Sequence, residues 1–86
     1  MKYLQLEKGE SIDKAEIIGI FDIDTATVTK NTRDYLFLKE KEGRCITVSY
    51  ELPGSFVVCA DKEGNETVYI SQLSASTLLK RTEDVF

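Results

Sequence analysis

Histidine is missing from the sequence. Its absence removes the commonest zinc ligand and the usual general base at neutral pH. Cysteine is scarce: Cys45 and Cys59 are too few and too isolated for a metal site. They read as small buried side chains on strands rather than as a disulfide, because nothing points to an oxidising compartment. No segment approaches the ~20 apolar residues that a membrane helix needs, and residues 1–8 lack the apolar centre of a signal peptide. These absences predict a cytoplasmic protein with no metal, no cofactor, no membrane partner and no small-molecule substrate.

A basic tail is missing too. The chain carries 11 Lys and Arg against 15 Asp and Glu, a net charge of -4. The two halves share it: residues 1–43 hold 7 basic and 9 acidic side chains, residues 44–86 hold 4 and 6. Nonspecific affinity for nucleic acid comes from Lys and Arg neutralising phosphates, so this balance argues against it unless cations cluster on folding or assembly.

What is present is the composition of an ordinary folded domain, 42% hydrophobic and 30% charged over 86 residues. That length fits one domain, 1–86, burying roughly 60–65% of the unfolded surface, so the stability of a lone copy is modest.

Strand and helix signals alternate along it. Residues 3–6 read as a short strand, and residues 17–23 as an Ile-rich one with both faces buried, a central strand in which Gly19 marks a bulge or a close approach. Residues 30–42 carry helix signals at both ends: Thr29 or Asn31 as cap, Asp34 early, Lys39 and Lys41 late, and Gly43 just beyond. Tyr35, Leu36 and Leu38 make its face toward the sheet. Phe37 lies off that stripe, left to solvent or to a partner subunit. Residues 45–50 and 55–60 read as strands joined in a hairpin by a type II turn at Leu52-Pro53-Gly54. A second hairpin turn at residues 61–66, with Gly64 at positive φ, leads to a strand at 67–70. Ser74 caps a short helix over 74–81, with Leu73 and Leu78 in staple positions. The expectation is an α+β domain: a small, mostly antiparallel sheet of about five strands, one main helix and a short C-terminal one.

Asp22-Ile23-Asp24, at the end of the Ile-rich run, invites a catalytic reading. It is similar to the strand-end Asp-x-Asp of haloacid dehalogenase-like phosphatases, which need Mg²⁺, further acidic and Lys positions, and several βαβ units. None of those follows here. A calcium loop fails as well, because Ala26 replaces an oxygen ligand and neither the Gly nor the bidentate Glu appears. The residues read instead as a strand end, where short polar side chains satisfy backbone donors in the turn to the helix. No catalytic residue is expected, and the protein is not read as an enzyme.

The whole arrangement resembles a known family. Residues 17–27, the capped helix ending in Lys41-Glu42-Gly43, the strand Ser55-Phe56-Val57-Val58 and, above all, Tyr69-Ile70-Ser71-Gln72-Leu73-Ser74-Ala75-Ser76-Thr77-Leu78-Leu79-Lys80-Arg81 together resemble the RemB branch of the bacterial extracellular-matrix regulators. The likeness runs over roughly residues 3–81. It implies a small cytoplasmic bacterial protein of matrix and biofilm gene regulation. The related RemA branch implies DNA binding and ring assembly, with an arginine cluster in the loop before the strand matching 55–60. Here that loop is Glu51-Leu52-Pro53-Gly54-Ser55, without a cation.

The cations left for DNA are Lys80 and Arg81 at the end of the last helix, Arg33 on the main helix and Arg44 beyond it. Each has a plainer role as a helix-end or solvated charge, but in a ring one modest cluster per subunit repeats and weak phosphate contacts add. Phe37 and Phe86 are the candidate contacts between copies. Two functions follow: a homo-oligomeric regulator that touches DNA weakly, or an interaction module that acts on a regulator without touching DNA.

Overall fold

A computed structural model of the chain describes residues 3–6, 11–26, 29–48 and 52–85, with the backbone alone at 26 and 82–85. The architecture is α+β. Among these residues, β1 (Tyr3–Gln5) and β2 (Ser11–Asp13) form a two-stranded sheet. A four-stranded sheet has the order β3-β5-β6-β4, from β3 (Ile17–Asp22), β5 (Ser55–Ala60), β6 (Glu66–Ser71) and β4 (Cys45–Thr47). A 3-10 turn, Lys14–Glu16, joins β2 to β3. The helices are α1 (Ile23–Ala26), α2 (Lys30–Lys41) and α3 (Ala75–Val85).

β5 forms the centre because its sequence, Ser-Phe-Val-Val-Cys-Ala, is apolar on both sides of the pleat. Val57 and Cys59 point to one face, where they join Leu4, Leu6, Ile12, Val48 and Leu78. Phe56 and Val58 point to the other, joined by Val68 and backed by Tyr35, Leu36 and Ile70. The small sheet and α3 therefore cover one face, and α2 covers the opposite one. Each fully buried Leu or Val contributes about 1.5–3 kcal/mol.

Local chemistry sets the helix ends. Thr29 caps α2, its hydroxyl accepting from the Thr32 N–H at 3.3 Å. Gly43, at φ 74°, ends it in a Schellman motif, with Gly43 N–H donating to Glu40 and Arg44 N–H to Lys39. Ser74 caps α3 through the Thr77 N–H. The second hairpin also forms as expected: Gly64 sits at φ 86°, and Asp61 Oδ1 accepts from both Glu63 and Asn65.

Four expectations need correcting. The hairpin between 45–50 and 55–60 does not form; β4 pairs with β6 instead, in parallel, with Ile46 opposite Tyr69. β5 has only two sides, and the six-residue strands β3 and β6 occupy both, so the three-residue β4 is left with the outer side of β6. The Pro53-Gly54 segment thus serves a crossover. Gly54 N–H donates to Ser71 O, and a Cβ at Gly54 would come within 2.6 Å of Gln72 O. Second, β3 is an edge strand rather than a central one, with Ile18 59% and Phe21 42% exposed. Third, Leu38 turns outward and is 51% exposed rather than facing the sheet. The strands number six among the described residues, against about five expected, and the added β2 holds one buried apolar residue, Ile12, between polar neighbours. Fourth, the C-terminal helix runs to Val85, past the expected 81.

Candidate functional site

Hydrogen bonds give Asp22 a capping role. Asp22 Oδ1 accepts from the N–H of Asp24 at 3.0 Å and of Thr25 at 3.3 Å, which makes Asp22 the cap of α1. Ile23 N–H meanwhile donates to Gly54 O. Asp22 therefore ends β3 and starts a turn, as its sequence context predicts, while Asp24 is exposed. Among the described residues, no three His, Cys, Asp or Glu side chains converge as a metal site would need.

The expected DNA-contacting cations are divided between the two faces of the sheet. Arg33 lies on α2, over the Phe56–Val58 face, whereas Lys80 and Arg81 lie on α3, over the Val57–Cys59 face, with the sheet between them. Arg44 and Arg81, both expected DNA contacts, take part in holding the fold. Arg44 Nε donates to Glu66 O at 3.1 Å. Arg81 Nη1 donates to the carbonyls of Gln5 and Leu6 at 3.1 and 3.2 Å, fastening α3 to the end of β1. Arg33 and Lys80 are exposed. Near Arg44 a polar hollow of about 470 Å³ is lined by Lys39, Glu42, Gly64, Asn65 and Glu66. Its charges answer one another, Lys39 meeting Glu42 at 3.2 Å.

Of the expected contacts between copies, Phe37 is 63% exposed on α2, with the Lys41 ammonium over its ring at 5.3 Å. Phe86 lies outside the described residues.

The cysteines sit on opposite faces, Cys59 in the core with Leu4 and Leu78, Cys45 against Phe56 and Val68. Both are free thiols. Burial, with the Glu16 charge second, pushes the Cys59 thiol up to about 11. Burial and then Glu40 raise Cys45 as well. Neither is primed as a nucleophile.

The feature that sequence reasoning missed lies along β3. The Phe21 ring stacks on Phe56, centroids 5.2 Å apart, and folds back so that a Cβ at Gly19 would come within 2.7 Å of it. Beside it opens a cleft of about 320 Å³, walled by Ile18, Phe21, Tyr35, Phe56 and Val58 and rimmed by Asn31 and Thr32 from the first turn of α2. A bulge at Ile18 produces this placement: Ile17 pairs with Cys59 but Gly19 with Val58, so Ile18 is the extra residue. Gly19 was the signal in the sequence, but which face Ile18 takes depends on the register against β5.

No helix among the described residues is long and apolar enough to cross a membrane. No protein-family model matches the chain, and no curated protein matches it.

Proposed function

We propose that the chain is a small, non-enzymatic regulatory protein of the kind represented by the RemB branch of the bacterial extracellular-matrix regulators, acting in the cytoplasm as a homo-oligomer on matrix and biofilm genes. The observation that carries this reading is the adjacent pair Phe37 and Leu38, 63% and 51% exposed at the middle of α2. Burying such a side chain fully between copies contributes about 1.5–3 kcal/mol, which matters in a chain with so small a core.

Contact with DNA, in this reading, comes from repetition around the assembly, since one subunit divides its cations between two faces. The same division favours the second reading, an interaction module that acts on a regulator without touching DNA.

Gel filtration with light scattering at micromolar concentration tests assembly. An oligomer is expected, dissociated by the Phe37→Ser, Leu38→Ser double variant with its circular dichroism unchanged; a wild-type monomer would overturn the proposal. Duplex binding measured against salt separates the two readings. Lys80→Ala is the variant to use, because Arg81→Ala would also loosen β1. Affinity that falls steeply with salt and weakens in Lys80→Ala supports the regulator, and an oligomer that ignores DNA at low salt selects the module.

A further inference from the structure

We propose that the free edge of β3 takes up an extended segment of a partner protein as an added strand, and that this segment carries apolar residues for the Ile18–Phe21 cleft and Lys or Arg at its ends. The inference goes beyond self-assembly through α2 and stands apart from it.

Three observations meet at this edge. In the order β3-β5-β6-β4 no described strand lies outside β3. Past the bulge, Gly19 to Asp22 keep an unbroken register against Val58 to Ser55. Because Ile23 N–H donates inward to Gly54 O, antiparallel alternation turns the N–H and C=O of Ile20 and the N–H of Asp22 outward, where an incoming strand would find them. Proteins usually blunt such an edge with Lys or Pro. β3 has neither.

The second observation is the cleft itself. Ile18 and Phe21 stand exposed directly beside the edge, and the hollow they share with Tyr35, Phe56 and Val58 is apolar. A strand laid along β3 sends alternate side chains to each face, so every second residue would drop into this hollow.

Charge selects the occupant. Around β3 stand Asp13, Glu16, Asp22 and Asp24, with Lys14 the one cation in that stretch. Across the cleft, Lys30 of α2 is paired with Asp34 at 2.9 Å, and Arg33 is not among the lining residues. A second copy of β3 would set carboxylates against carboxylates, which disfavours strand pairing. A partner with basic flanks meets complementary charge instead.

The test uses an array of synthetic peptides with alternating Val and Thr cores, one set flanked by lysines and an otherwise identical set flanked by glutamates. Binding is read by fluorescence polarisation. The lysine set should bind at least about tenfold more tightly than the glutamate set. That binding should disappear in Ile18→Lys, a change at an exposed position whose folding is checked by thermal melting. In the wild type, the amide resonances of Ile20 and Asp22 should move on binding. No binding by the lysine set, equal binding by both sets, or binding retained in Ile18→Lys overturns the proposal. So does a wild-type dimer that Ile18→Lys alone makes monomeric, because a second copy would then occupy the edge.

Discussion

The hydroxyl of Tyr35 on α2 donates a 2.5 Å hydrogen bond to the Glu66 carboxylate at the start of β6. The bond ties the main helix to the sheet and holds the Tyr35 ring as a wall of the apolar cleft. The Lys39 ammonium lies 5.6 Å from the same ring, on a helix face shared with Glu42.

Tyr35→Phe should cost about 1 kcal/mol in urea unfolding, the net value of a partly buried hydrogen bond. It should also change the alkaline limb. Burial first, then the Glu66 hydrogen bond, hold the folded phenol above its ordinary 10.0. The raised value means that the stability is fully present below pH 10 and is lost as pH climbs beyond it. The wild type should therefore lose stability above pH 10 more steeply than Tyr35→Phe, a difference that melting curves at pH 9 and pH 11 would reveal.

Asp22 and Asp24 separate a cap from a catalytic pair. Asp22→Ala removes the acceptor for two backbone donors and should cost about 1 kcal/mol, with Asp22→Asn largely restoring it. Asp24→Ala, on an exposed side chain, should leave the melting temperature nearly unchanged. Equal losses for both alanine variants would contradict the capping role.

Gly54→Ala should be among the most damaging single changes, about 2 kcal/mol or more, since the new methyl would meet the carbonyl oxygens of Gln72 and Leu73 at 2.6 and 2.9 Å, and both are backbone. Gly64→Ala tests a different cause. Space there is open, but φ is 86°, so a loss of about 1–2 kcal/mol is expected. Urea midpoints for the two variants should rank in that order.

Thiol labelling checks the faces of the sheet. At pH 8 both cysteines should react more slowly with an aromatic disulfide reagent than a free thiol does, and Cys59, buried beside Leu4 and Leu78, should react only as fast as the protein opens. The linkage has the same sign as for Tyr35. With the Cys59 thiol raised from 9.0 to about 11, its contribution to stability is intact below pH 9 and fades as pH rises toward 11.

Much of the fold was legible from short-range chemistry. Thr29, Gly43, Gly64, Ser74 and Asp22 all act on backbone groups within a few residues, so the residues around them suffice to read their roles. That residues 55–60 form a strand was equally visible, but not that this strand, buried on both faces, is the central one. The proposed edge site was not, because Ile18 and Phe21 look like core residues until a partner strand is assigned.

By itself, then, the sequence determined the caps at Thr29 and Ser74, the positive φ at Gly43 and Gly64, and that Asp22 would close a strand. Tertiary structure alone decided that β4 runs parallel to β6, that β3 stands at the edge, and that Arg33 and Lys80 lie on opposite sides of the sheet. The physical reason is that capping is a contest among neighbours in the chain. Strand order is a contest among distant segments for the two sides of β5, and the longer apolar strands win it.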